Sequence, residues 1–261
     1  MILGLQYYEG DLKRTMKLAR LLSDIEPKPR ADVQLALVCQ PDTPTTQLVL
    51  DTITHCQTKF KVEHHVSKYG ALGWADGSGQ LWRGTMEHFH SLWKSGQTPH
   101  HSIFTLDGGD GVPLHNNWLD LLIAEHTKTI AASKLVTGVR MICPSHWIQK
   151  YPTHINGNMV LELSILDDHP ELLLTPLGAR LEAQNTWDMY HANTFLELAS
   201  SSTVVHSDWN HTGATPWLFK EHSQNSIWLH GWKDEALCDL ARDYLLGELK
   251  GIATFPRLLP T

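Results

Sequence analysis

Two short stretches, more than a hundred positions apart, carry side chains suited to gripping a diphosphate. In FTLDGGDGVPL, Asp107 and Asp110 stand among Gly108, Gly109 and Gly111. Magnesium and manganese are hard cations that take oxygen ligands, typically one or two protein carboxylates with phosphate and water supplying the rest. Glycines let phosphate approach the backbone, and a metal there neutralises charge that develops on a departing diphosphate. On spacing alone the same loop also fits a simple chain reversal. The second stretch, SIWLHGWKD, puts His230 and Lys233 just after an apolar run, with Gly231 permitting a tight bend. A neutral imidazole can complete a metal site and an ammonium can hold the departing phosphate as a point charge. Taken singly, a His beside a Trp also fits a packed surface group.

The elements that must position these loops follow from periodicity. Residues 1–6 form an apolar run that reads as a strand, and Asp11 followed by Met16, Leu18, Ala19, Leu21 and Leu22 has helical spacing with an acidic cap. Pro27 and Pro29 stop that helix, and 33–38 (VQLALV) is short enough for a buried strand. A helix over 45–56, a strand over 60–66 and a glycine-rich loop over 70–84 come next. Residues 102–106 are a strand, 107–112 the acidic loop, and Pro113 with Trp118, Leu119, Leu122 and Ile123 opens an amphipathic helix. Beyond it come a strand over 135–142, a loop over 143–158, a helix over 186–198, strands over 203–205 and 227–229, and a helix over 234–249. This alternation predicts an α/β fold with a mainly parallel, right-handed sheet flanked by helices. The acidic loop then lies at the carboxyl edge of the sheet, where open α/β folds bind ligands.

An apolar strand, an acid-rich loop running into VPL and a Trp-bearing helix, then a late strand ending in His-Gly-x-Lys, resemble the GT-A glycosyltransferases in order and position. The resemblance implies a single Rossmann-related GT-A-like domain over 1–253 with a tail at 254–261, and sugar transfer from a nucleotide diphosphate sugar, a UDP-sugar being expected. It implies Asp110 as the principal ligand of Mn2+ or Mg2+, His230 as the second, and Lys233 as a diphosphate contact acting in catalysis. The spacing departs from the family's DxD: Asp107 and Asp110 form DxxD, and Gly108 occupies the partner position. Asp107 is accordingly left between metal, ribose and water-mediated roles, with Gly108 and Gly109 beside the diphosphate. Gln6, Tyr7 and Tyr8 follow the first strand, where such enzymes surround the base, and aromatic stacking suits them. Trp74 and Asp76, with Ser78, fall where donor contacts are expected.

The acceptor side carries weaker signals. In HINGN, His154, Asn156 and Asn158 offer paired donors and acceptors suited to hydroxyl recognition, although Asn-Gly is also a plain turn. Asp208 in HSDWN is the carboxylate expected to take the acceptor proton in an inverting reaction, and Trp209 is a platform for a sugar or base. Asp167, Asp168 and His169 read as a helix cap. His64 with His65, His88 with His90 and His100 with His101 lack zinc-motif spacing and are expected to be solvated.

The whole chain sets outer limits. It has 261 residues, 42% hydrophobic and 19% charged, without a bilayer-spanning apolar run, so a single domain away from the membrane, in the cytoplasm, is expected. Four well-separated cysteines signal neither a disulfide framework nor a thiolate zinc site. The formal charge of −7 opposes non-specific attraction to polyanions. The build is nevertheless also like the bacteriophage and bacterial transferases that glycosylate hydroxymethylated DNA bases, which would place the chain in a host cytoplasm with DNA as acceptor. A carbohydrate or small-molecule acceptor is the alternative. Sugar-phosphate nucleotidyltransferases need a basic glycine-rich loop after the first strand, where this chain reads QYYEGD. A non-catalytic sugar-binding relative is the remaining alternative, kept open by the DxxD spacing.

Overall fold

A computed structural model describes residues 1–70, 76–141, 153–174, 186–202, 205–207, 219, 221–231, 233 and 236–247. Strands β1 (Ile2–Tyr7), β2 (Arg30–Cys39), β3 (Phe60–Val66) and β4 (Ser102–Asp107) alternate with helices α1 (Leu12–Ile25), α2 (Gln47–Cys56) and α3 (Asp76–Lys94). Then come β5 (Gly111–Pro113), α4 (Trp118–Ala131), β6 (Val136–Gly138), β7 (Arg140–Met141), β8 (His154–Ile155) and β9 (Val160–Glu162). The remainder contains α5 (Ile165–Asp168), α6 (Trp187–Tyr190), α7 (Ala192–Leu198), β10 (Ala199–Ser201), β11 (Val205–Ser207), β12 (Trp228–His230) and α8 (Leu237–Leu245).

The main sheet has seven strands in the order β10-β6-β9-β4-β1-β2-β3. Neighbours β4, β1, β2 and β3 run parallel, whereas β9 is antiparallel to both β4 and β6. Strand alternation divides the core in two. Leu3 and Leu5 of β1 and Val33, Leu35 and Leu37 of β2 pack with Met16, Leu22 and Trp118 on one face. Ile2, Ala36 and Val38 pack with Trp82, Met86 and Phe89 of α3 on the other. Both faces of β1 are buried, which is why its sequence is a continuous apolar run rather than an alternating one.

Several local expectations need correction. The glycine-rich stretch expected as a loop over 70–84 is helical from Asp76, because Leu81, Trp82 and Met86 supply a buried face that outweighs Gly77, Gly79 and Gly84. Pro113 does not open a helix. It ends β5, whose neighbours in β12 lie outside any local window, and α4 starts at Trp118. The strand expected over 135–142 is split between β6 and β7, which belong to different sheets. The helix expected over 186–198 is interrupted at His191. Asp167 and Asp168 lie in the single turn of α5, and Asp167 meets His90 and Lys94, while His169 takes the N-cap position of the 3-10 turn at Pro170–Leu173 without a capping hydrogen bond. No described helix is long and apolar enough to cross a membrane.

Candidate active site

The acidic loop is built by the end of one sheet and the start of another. Asp107 ends β4 in register with Gln6 of β1, and the Gly108 amide donates to the Gln6 carbonyl at 2.8 Å. Gly108 and Gly109 take φ of +47° and +71°, and Gly109 lies so close to α1 that an added Cβ would come within 2.5 Å of the Arg14 carbonyl carbon. The chain then enters β5, which pairs antiparallel with β12 so that Gly111 faces His230. The Gly231 amide donates to the Asp110 carbonyl at 3.0 Å, with Gly231 at φ +105°. This strand pairing brings the two distant stretches together. Asp110 Oδ1 lies 3.4 Å from His230 Nε2, both side chains being nearly enclosed.

At that distance the contact lacks good hydrogen-bond geometry and is an ion pair only when His230 is protonated, and Asp110 Oδ1 is buried with no hydrogen-bond partner among the described groups. An orphaned carboxylate oxygen facing an imidazole is a donor set that fits a divalent cation. Asn156 faces the other ring nitrogen, with its Nδ2 3.4 Å from His230 Nδ1. Asp107 does not join Asp110 and His230 in one tight set: among the described residues, only Glu63, His65 and His88 place three such ligand atoms within 4.8 Å of one another. The Asp107 and Asp188 carboxylates instead both approach Gly157.

Charge is unevenly shared. Burial, reinforced by Asp110, pushes the Asp107 carboxyl up to about 7. Burial also acts to raise Asp110, but His230, Lys233 and Arg14 outweigh it and hold the carboxyl below its ordinary value. For His230 burial opposes protonation, and the facing Asp110 reverses the balance and raises its pKa.

These groups line a cavity of 340 Å³ at the carboxyl edge of the parallel strands, as expected for an open α/β sheet. Of the residues expected at a donor, Gln6, Tyr7, Tyr8, Asp107, Gly108 and Lys233 line it, and Asp110 and His230 lie on the same wall. Gln6 is 2% exposed and neither its amide nitrogen nor its oxygen has a described partner. Tyr7 is embedded in the core with its hydroxyl 3.1 Å from His64 Nε2, so only Tyr8, 48% exposed, presents a free ring. Gly77 and Ser78 line the cavity, but Asp76 and Gly109 do not. His154 and Asn156 are lining residues, whereas Asn158 stands behind them and donates its backbone amide to Asn156 Oδ1 at 2.9 Å. Trp74, Asp208 and Trp209 lie outside the described residues.

Other lining residues were not legible. Asp11, expected to cap α1, makes no cap hydrogen bond; its carboxylate pairs with Arg14 and lies against Gly108. Arg14 also donates to the Lys233 carbonyl at 3.3 Å, tying α1 to the late loop. Asp188 lies 3.9 Å from His154 Nε2, and Trp187 stacks on Trp82 with centroids 4.4 Å apart. An Asp–Arg pair three residues apart was the available signal for the first; a Trp-Asp pair in a short helix offered none.

No family model matches the sequence, and no curated protein matches it. Solved structures do match in fold. The bifunctional glycosyltransferase WbbM aligns over 88% of this chain with TM-score 0.58 and 10% identity, and the chain spans 45% of that protein's length. Mouse xyloside xylosyltransferase 1 aligns over 88% of this chain and 96% of its own, with TM-score 0.50 and 15% identity. The galactosyltransferase LgtC in complex with donor and acceptor sugar analogues aligns over 97% and 98%, with TM-score 0.57 and 9% identity. The fold is that of GT-A glycosyltransferases: a mixed α/β architecture around a central, mainly parallel seven-stranded sheet.

Proposed function

We propose that this chain is a metal-dependent glycosyltransferase that moves a sugar from a nucleotide diphosphate sugar to an acceptor hydroxyl. The observation that carries this reading is the meeting of Asp110 and His230 at 3.4 Å, with an orphaned carboxylate oxygen, inside the cavity at the sheet's carboxyl edge. Asp110 and His230 would hold Mn2+ or Mg2+, which when bound supplies positive charge against the diphosphate leaving group. Lys233 and Arg14 stand on the same side as fixed cations for the phosphates. Gln6, with an unpartnered buried amide, and Tyr8, with an exposed ring, would hold the nucleoside. His154, Asn156 and Asp188 face the cavity from the opposite segment and offer polar groups to sugar hydroxyls.

Likeness to LgtC, a structure bound to donor and acceptor sugar analogues, supports a sugar donor and a sugar acceptor for this cavity, with a UDP-sugar as the first donor to try. The net charge of −7 favours a carbohydrate or small-molecule acceptor over hydroxymethylated DNA.

The test is a thermal-shift screen of UDP-, GDP-, CMP- and dTDP-sugars with manganese. A donor at a hundred times its Kd adds about 2.7 kcal/mol to the native state. Asp110→Ala and His230→Ala are expected to abolish both this shift and turnover while leaving the fold intact. Full turnover in EDTA, or no shift with any nucleotide sugar, refutes the reading.

A further inference from the structure

The face of the sheet under α3 changes character at its edge. On β2, Ala36 and Val38 are apolar and pack with Trp82, Met86 and Phe89 of α3. Their register partners on the edge strand β3 are Glu63 and His65. The same helix lowers His88 onto this pair. Its ring stacks on His65 with centroids 3.7 Å apart and planes 12° apart, and its Nε2 lies 2.5 Å from Glu63 Oε1. Gln34 donates its Nε2 to the other Glu63 oxygen at 2.5 Å, fixing the carboxylate from behind. All three side chains are half-buried, and one ligand atom from each lies within 4.8 Å of the others.

We propose that Glu63, His65 and His88 form a second metal site, for a zinc-class transition ion, separate from the donor cavity. Two imidazole nitrogens and one carboxylate oxygen suit Zn2+, Co2+ or Cu2+ far better than Mg2+, and three protein ligands leave a fourth position for water. Gln34 plays the part that outer hydrogen bonds play in orienting a metal-bound carboxylate. In the ion-free arrangement the imidazoles lie parallel, so a ring rotation is needed to aim both nitrogens at one ion. The sequence conceals the site because its ligands are divided between a strand and a helix, with no HExxH-like spacing; the histidines expected to be solvated are here half-buried and in contact. Strands β2 and β1 intervene between β3 and β4, so the ion would stand roughly 14 Å or more from the strand bearing Asp107, at about 4.8 Å per strand. Its role would be a clip that fastens α3 to the sheet edge. The first turns of α3 carry Gly77, Ser78 and Leu81 into the donor cavity, so the clip would hold one wall of that cavity in place.

The site does not depend on the glycosyltransferase reading, and the test keeps the two apart. Zn2+ and Co2+ are titrated into an Asp110→Ala, His230→Ala background that lacks the other cation position. One ion is expected per chain, with Co2+ giving d–d absorption of a four- or five-coordinate nitrogen–oxygen site. His65→Phe, which keeps a stacked ring, and His88→Gln, which keeps a donor to Glu63, are each expected to weaken binding by more than about tenfold. In the otherwise unaltered protein, Zn2+ should move the imidazole 15N resonances of His65 and His88 together. No uptake by the background protein, undiminished affinity in the folded variants, or unmoved His65 and His88 resonances overturns the proposal.

Discussion

Replacing Gly109 by alanine tests whether the acidic loop is held by contact with α1. At φ +71° a Cβ costs about 1 kcal/mol from the backbone conformation alone. That Cβ would also lie 2.5 Å from the Arg14 carbonyl carbon, 2.6 Å from the Thr15 nitrogen and 2.7 Å from the Arg14 oxygen. These are helix backbone atoms that cannot swing aside, so the loop itself must retreat, at a cost of roughly 1–3 kcal/mol for overpacking. The sum is about 3 kcal/mol, or roughly 6–12 °C in Tm for a chain of this size. Gly96→Ala is the control: φ is +72°, nothing lies within 4 Å of the added carbon, and only the conformational cost of about 1 kcal/mol should appear. Differential scanning calorimetry of the two variants separates strain from collision. Because Asp110 is the next residue, retreat of the loop by about an ångström should also lower turnover on the order of 10²-fold. Equal Tm losses in the two variants, or a Gly109→Ala protein with native turnover, would show that contact with α1 does not position the loop.

Two further outcomes follow, one from the amino end of β4 and one from the cavity wall. Glu162, 8% exposed, accepts hydrogen bonds from His126 and His101 at 2.7 Å each, and Glu162→Gln should cost about 1.5–3 kcal/mol in urea unfolding at neutral pH. Burial pushes this carboxyl up, but the two histidines outweigh it and hold it below 4.5; its contribution is therefore full above pH 4.5 and lost as pH falls below it, so wild type and Glu162→Gln should converge in stability in acid. A gap that widens on acidification contradicts the assignment. Trp187, 2% exposed and stacked on Trp82, should cost about 3–5 kcal/mol as Trp187→Ala, whereas Trp187→Phe should stay folded but bind the acceptor or donor sugar more weakly, as read by calorimetry. Native affinity in Trp187→Phe removes this wall from recognition.

What was legible in the sequence is what local patterning encodes. Apolar runs such as VQLALV, amphipathic spacing in 11–25 and the glycines around Asp110 specify β2, α1 and a loop at the sheet edge without reference to distant residues. His230 after an apolar strand was visible for the same reason. That His230 meets Asp110 depends on β5 pairing with β12, a three-residue ladder between segments far apart in the chain. Such pairing leaves no periodic trace, because strands this short are specified by their partners rather than by their own composition. The antiparallel insertion of β9, the turning of Asp188 toward His154, the diversion of Asp11 from cap to Arg14 partner, and the assembly of Glu63, His65 and His88 were likewise decided only in three dimensions. In each, the side chain's role is set by a neighbour supplied from another element, and hydrogen bonds and burial between elements carry no signature in residue spacing.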